Sequence, residues 1–209
     1  MEEVLVASDI TDEQQNQFGK YPRRRDICKF SRDIYEKIFN LIRNKGTLPE
    51  AIDLLIDAIN DLCSGRVSYK DLAMKRKVLA MYHSDTSPMK IFIEELRKTG
   101  KTINPGDIVE YVIVESVPKK NIGYRMRLIE DFGGGSEPID YKFYINVILR
   151  SKIDRLFSVG FKDAVSHMKH IYYRGKYKII FLDQPVALIM KAIESGHDPT
   201  ILKQMVQLP

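Results

Sequence analysis

Lys98-Thr99-Gly100-Lys101-Thr102-Ile103-Asn104-Pro105-Gly106-Asp107-Ile108-Val109-Glu110-Tyr111-Val112-Ile113-Val114 is the stretch on which the fold turns. It crosses from helix to strand within a few residues. Upstream, Ser87-Pro88 starts a helix whose apolar residues Met89, Phe92, Ile93 and Leu96 recur at i, i+3, i+4 and i+7, and Gly100 stops it. Lys90, Arg97 and Lys101 fall on the opposite face as one stripe. Asn104-Pro105-Gly106-Asp107 is a turn signal. The β-rich run 108–115 that follows is apolar on both faces, which predicts an interior strand. Tyr124–Ile129 alternates Tyr124, Met126 and Leu128 with Arg125 and Arg127, the pattern of a half-exposed partner strand.

Working outward, helical periodicity dominates. Ile27, Phe30, Ile34, Ile38 and Leu41 form one stripe, ended by Gly46. Thr47-Leu48-Pro49-Glu50 is a capping box with proline in the first turn. It opens a second helix through Ile52, Leu55, Ile56, Ile59 and Leu62, stopped by Gly65. Asp140 is expected to cap a long helix with the stripe Tyr141, Tyr144, Ile145, Ile148, Leu149, Leu156 and Phe157. Residues 1–22 read as an edge strand at Val4–Val6 followed by a Gln-rich loop. The tail predicts a helix at 162–171, a strand at Tyr177–Leu182, and short helices begun by Pro185 and by Asp198-Pro199. The fold class expected is α+β, mostly helical with a small inserted antiparallel sheet.

Composition narrows the function classes. The 209 residues suit one medium domain or two small ones, and 44% hydrophobic residues suffice for a core. No apolar run approaches the roughly 18–20 residues of a membrane span. Met1-Glu2-Glu3 is acidic, unlike a signal or transit peptide. Cys28 and Cys63 both fall beside apolar residues, so both are expected as buried, reduced thiols of an intracellular protein. Net charge is only +5, but residues 66–101 hold nine Lys/Arg against four acids, while 104–140 hold four against seven. Concentrated positive charge is what a polyanion-binding face requires.

The cationic elements are Arg23-Arg24-Arg25 before the first long helix, Lys75-Arg76-Lys77, and the Lys90/Arg97/Lys101 stripe. Such residues fix the register of a duplex through its backbone without reading bases; the alternative for each is a solvated face. Several motif matches fail on context. Asp131-Phe132-Gly133 spells a kinase magnesium motif without the loops that precede one. Gly133-Gly134-Gly135 lacks the Gly-Lys-Ser/Thr of a phosphate loop and reads as a hairpin tip. His167 and His170 have no further metal ligands at readable spacing. Asp53, Asp57 and Asp61 read as the solvated face of the second helix.

The order of these pieces resembles a stretch of family B DNA polymerases, the replicative type of archaea, eukaryotic nuclei and large DNA viruses. Arg24-Arg25-Asp26-Ile27-Cys28 resembles the Arg-Arg-Asp motif that leads from the palm into the thumb. Asp71-Leu72-Ala73-Met74-Lys75 falls where the family has a short strand ending in lysine, and Lys98–Lys101 with Pro105–Val114 resembles the thumb's glycine-aspartate turn and strand. Ile139-Asp140-Tyr141-Lys142-Phe143-Tyr144-Ile145 is similar to the Asp-x-x-Tyr-Tyr helix, continued by Arg155-Leu156-Phe157 and Gly160. The chain departs from the family at Lys20-Tyr21-Pro22, where Lys-Gly and an apolar residue are usual, and at Ser87-Pro88-Met89, usually Pro-His.

The resemblance implies three segments: residues 1–25 as a palm remnant or extension, 26–160 as a thumb, and 161–209 as a tail. It implies a thumb that holds the primer–template duplex through phosphates, using Lys75, Arg76, Lys77, Arg97, Lys98 and Lys101, with Lys90 from the same stripe. Arg24 and Arg25 would brace the palm–thumb junction or the primer. The catalytic carboxylates lie upstream of Arg-Arg-Asp in the family, so this chain is expected to bind no cofactor itself. Magnesium is implied for the complete polymerase. Tyr82-His83-Ser84-Asp85-Thr86-Ser87 resembles the catalytic Tyr-Gly-Asp-Thr-Asp only superficially and reads as a helix N-terminus. Expected partners are primer–template DNA and the remaining exonuclease, palm and fingers, with a processivity factor as a further candidate and no membrane. The expected location is the site of DNA replication, and a large DNA virus or a split enzyme are candidate sources. The rival readings are a stand-alone duplex-binding or partner-docking module and an unrelated enzyme.

Overall fold

Capped, amphipathic helices and one short sheet account for the architecture seen in a computed structural model, which describes residues 6–20, 27–133, 137–163 and 184–200. The α+β, mostly helical class expected from the sequence is what the chain adopts. The chain groups into two compact units, 1–24 with 31–66 and 144–209, and 25–30 with 67–143.

The first unit is helical. Helix α1, Asp12–Gly19, replaces the expected loop. Its cause is local: the Thr11 hydroxyl accepts from the Gln14 amide while the Gln14 side chain accepts from the Thr11 amide, a reciprocal cap that satisfies two otherwise orphaned donors. The edge strand expected before it reduces, among the described residues, to a bridge between Val6 and Thr47. Helix α2, Lys29–Arg43, buries Ile34, Tyr35, Ile38 and Ile42. Leu41, expected in that stripe, is half-buried, and Lys45 rather than Gly46 takes the left-handed conformation after the helix (φ 58°). Gly46 is needed for another reason, since a Cβ there would meet Leu41 Cγ at 2.5 Å.

Helix α3, Leu48–Cys63, has the predicted capping box, with the Thr47 amide donating to Glu50 Oε2 at 2.7 Å. These bonds hold the Glu50 carboxyl below its ordinary pKa. Neither cysteine is in a disulfide, but only Cys28 is buried; Cys63 ends α3 in an exposed position, against the expectation. Downstream comes a π-helical segment, Tyr144–Leu149, running into α9, Arg150–Gly160. The stripe differs from the expected one: Ile153, which it omitted, is buried, whereas Tyr141 and Ile148 are half-buried. Helix α10, Pro185–Glu194, begins at the expected proline, and Asp154 accepts from the Val186 amide at 3.4 Å. The strand expected at Tyr177–Leu182 and residues 164–171 of the expected helix lie outside the described residues, and so does the segment after Thr200.

The second unit holds the sheet. Strands β1 (Met74–Lys77), β2 (Ile108–Ile113) and β3 (Met126–Leu128) lie in that order, all antiparallel, so β2 is the interior strand expected. Alternation gives one apolar face, where Met74, Val109, Tyr111, Ile113, Met126 and Leu128 are all buried. Helix α5, Pro88–Lys98, packs there, with the Phe92 and Tyr111 rings 5.9 Å apart. Short helices complete the unit: α4 (Tyr69–Leu72), α6 (Ile122–Arg125), α7 (Ile129–Phe132) and α8 (Tyr141–Phe143). Helix α6 sits close to the first turn of α5, because Gly123 has no Cβ to meet the Pro88 carbonyl, 2.5 Å from where it would lie.

The alternation predicted for Tyr124–Ile129 fails at its start. Tyr124 is 47% exposed and Arg125 only 2%. Both belong to α6, not to a strand, and a helical turn reverses which neighbour points inward. Arg125 pairs with Asp140, itself buried, and Asp140 Oδ1 also accepts from the Phe143 amide at 2.9 Å, the cap expected of it.

Candidate nucleic-acid interface

The cationic residues singled out by the sequence are built mainly on two elements of the second unit. Strand β1 follows α4, whose Ser68 hydroxyl accepts from the Lys70 amide, and it starts where Ala73 takes an extended backbone. Only Met74 of this strand is buried; Lys75, Arg76 and Lys77 are exposed on an edge strand. Lys75 faces Glu110 across the ladder and pairs with it at 3.2 Å. Among the described residues, neither Arg76 nor Lys77 has an acidic partner within salt-bridge distance.

The stripe on α5 is differently placed. Lys90 pairs with Asp85, which lies in the turn before the helix, and reaches Glu94 at 4.0 Å. The Asp85 bond raises the Lys90 pKa and lowers that of Asp85. Arg97 donates to the Ile103 carbonyl at 3.2 Å. Lys98 pairs with Glu95 at 2.5 Å. Lys101 lies past the end of α5, beyond Gly100 at φ 86°, and turns to Asp131 at 2.7 Å and Glu130 at 2.9 Å. Those carboxylates raise its pKa, Asp131 most. The α5 lysines and Lys101 therefore carry carboxylate counterions within the chain, while Arg76 and Lys77 on β1 have none among the described residues. Exposed pairs of this kind are worth little individually, so a phosphate can compete for these lysines.

Arg24 and Arg25 lie outside the described residues, as do His167, His170, Gly134 and Gly135. Asp131-Phe132-Gly133 forms the end of α7, where Phe132 is buried with its ring edge-on to Tyr69 at 5.4 Å. Tyr82–Ser87 leads into α5 as expected, with Asp85 committed to Lys90. Among the described residues no three His, Cys, Asp or Glu side chains are grouped to hold a metal ion. None of the helices among those residues is long and apolar enough to cross a membrane. Two features of this surface were not singled out from sequence. Arg127 on β3 forms a bidentate pair with Glu137, at 2.5 and 2.7 Å, which lowers the Glu137 pKa. Leu79, Met81 and Ile108 stand exposed beside the basic strand.

Known proteins resemble this chain. The profile of DNA polymerase family B matches residues 5–159. A DNA polymerase of Pyramimonas orientalis virus is 23% identical over 185 residues, 86% of this chain and 15% of that protein. A DNA polymerase of Methanocaldococcus jannaschii is 26% identical over 140 residues, 66% of this chain and 8% of the relative. The DNA polymerase delta catalytic subunit of Candida albicans is 26% identical over 139 residues, 64% and 13% respectively. The chain thus spans 8–15% of the length of these relatives. The solved family B DNA polymerase of Pyrobaculum calidifontis shares the fold, with a TM-score of 0.52 at 20% identity over 64% of this chain and 18% of that one. With the family profile covering most of its length, this chain belongs to DNA polymerase family B.

Proposed function

We propose that this chain is the thumb portion of a family B DNA polymerase and grips primer–template duplex by sequence-independent phosphate contacts. The observation that carries this reading is the exposed edge strand β1, with Arg76 and Lys77 free of acidic partners among the described residues, inside the span that matches the family. Cations on a strand edge reach a phosphate row without reading bases. Lys75, Lys90, Arg97, Lys98 and Lys101 serve as secondary contacts, and Arg24 and Arg25 would brace the palm–thumb junction or the primer. Polymerisation belongs to the assembly with the exonuclease, palm and fingers, whose carboxylates would hold the magnesium ions. That assembly works at the site of replication, with a processivity factor as a further partner. The viral relative supports a viral source.

Anisotropy of a labelled primer–template duplex tests the grip. Affinity is expected to be micromolar or weaker, indifferent to sequence, and to fall with salt. Arg76→Ala and Lys77→Ala should each lower the log–log salt slope by up to about 0.9 for every phosphate the side chain neutralises. Equal binding at low and high salt overturns the reading. Mixing the chain with a fragment carrying exonuclease, palm and fingers tests the assembly. Restored primer extension supports it, and no complex leaves a stand-alone duplex-binding module in its place.

A further inference from the structure

Seven large hydrophobic side chains stand exposed among the described residues; Leu79 at 56% and Ile108 at 59% meet at one end of the sheet, and Met81 at 72% follows Leu79 by two residues. The strand register puts them there. Ile108 is the partner of Lys77 across β1 and β2. The Val78 amide donates to the Asp107 carbonyl at 2.8 Å and the Gly106 amide to the Val78 carbonyl at 2.9 Å, which carries the pairing past Lys77. Side chains alternate along an extended strand, so Leu79 follows Lys75 and Lys77 on one face while Val78 turns inward, 2% exposed. The Tyr82 hydroxyl accepts from the Leu79 amide at 3.0 Å, closing a short loop that contains Met81.

Exposed apolar residues scattered singly need no explanation, but a cluster marks a contact surface. The charge around this cluster says what kind. Lys77 adjoins it on the same face and Arg76 precedes it on the strand's other face, neither with an acidic partner among the described residues, and Glu110 is committed to Lys75. The occupant must therefore present an apolar strip flanked by anions. The sugar edge of a DNA duplex does so: deoxyribose carbons lie between rows of phosphates, and apolar side chains are a recognised means of contact on the minor-groove side.

We propose that Leu79, Met81 and Ile108 pack against the deoxyribose edge of a bound DNA duplex, adding a salt-independent contact beside the phosphate grip of Arg76 and Lys77. This rests on the duplex-binding reading above. Its signature differs from that of a cation. Apolar burial releases no counterions, so its removal weakens binding by the same factor at every salt concentration.

The test is anisotropy with the full 209-residue chain and a primer–template duplex across a salt series, comparing wild type with Leu79→Gln, Met81→Gln and Ile108→Thr combined. The positions are exposed, and an unchanged thermal melt checks that the fold survives. Affinity is expected to drop about fivefold to tenfold, the effect of leaving roughly 40–55 Å² of apolar surface unburied on binding, with the salt slope unchanged. Wild-type affinity in the variant overturns the proposal while leaving the phosphate grip intact. A drop accompanied by a shallower slope also overturns it, because the patch would then act only by positioning the cations. Sedimentation that shows a wild-type dimer and a monomeric variant assigns the patch to a second copy of the chain instead. A wild type that shows no salt-dependent binding removes both the grip and this contact.

Discussion

Replacing Asp140 with asparagine strands a charge inside the second unit. Arg125 and Asp140 form an ion pair with side chains only 3% and 11% exposed, and Arg125 Nε already has no hydrogen-bond partner among the described residues. Asparagine keeps an oxygen for the Phe143 amide, so the helix cap survives and what disappears is the negative charge facing the guanidinium. Removing one member of a buried pair costs about 3–5 kcal/mol, because the remaining charge is neither solvated nor paired. For a chain of this length each kcal/mol moves the melting temperature by about 2–4 °C, so D140N should melt roughly 6 °C or more below wild type. Asp140→Ala also removes the cap and should cost about 1 kcal/mol more. The control is Arg125→Met combined with D140N. Removing the stranded cation should recover part of the loss, with a coupling energy of about 2 kcal/mol in a double-mutant cycle from urea denaturation. A D140N variant within about 0.5 kcal/mol of wild type, or a double variant no more stable than D140N, would refute the reasoning.

Other perturbations probe other elements. Gly123→Ala brings a Cβ to 2.5 Å from the Pro88 carbonyl and 2.7 Å from Ile91 Cβ; because backbone cannot step aside as a side-chain end can, a loss of about 1–3 kcal/mol is expected on denaturation. Thr47→Ala removes the α3 cap oxygen and should cost about 1 kcal/mol by the same measurement. The Glu50 pKa is lowered in the fold, so its contribution is complete above the ordinary glutamate pKa and disappears as pH falls through the lowered value. Glu50→Gln, which can keep the reciprocal cap, should flatten the acid side of a stability–pH curve. Asp154→Ala frees the Val186 amide at the start of α10 and should raise hydrogen exchange in α10 before it alters the rest of the first unit.

What the sequence disclosed follows the range of the interactions involved. The caps of α3 and the stop of α5 at Gly100 are written within four residues of where they act, and β2 within its own run. Helix α1 was equally local, since Thr11-Asp12-Glu13-Gln14 is a capping box; its polarity hid it, because Phe18 is the one residue of α1 that is buried. The partner of Arg125 lies fifteen residues away, and those of Lys101 twenty-nine and thirty. No periodicity encodes such pairings. The basic stripe was therefore legible as positions, while its internal counterions, and the lack of any for Arg76 and Lys77 among the described residues, belong to the tertiary structure. The Leu79/Met81/Ile108 cluster escaped for a similar reason: two of its members precede α5, the third follows it, and only the register of β1 on β2 joins them.

The π-helical segment Tyr144–Leu149 amounts to a frameshift written into a helix. Each residue of an α-helix advances the azimuth by about 100°, so one surplus residue rotates everything downstream by that much. Without it, Leu149, Ile153, Leu156 and Phe157 would stand about 120° or more around the axis from Tyr144, yet all five are buried. The segment resets the phase and lets two stretches of different angular origin share one core. The surplus is accommodated on the outer side, where Val147 is 55% exposed. A one-residue deletion there is thus the length change this helix is best placed to absorb, whereas the same deletion in α9 would turn Phe157 and Phe161, whose rings lie 5.4 Å apart, out of the interior.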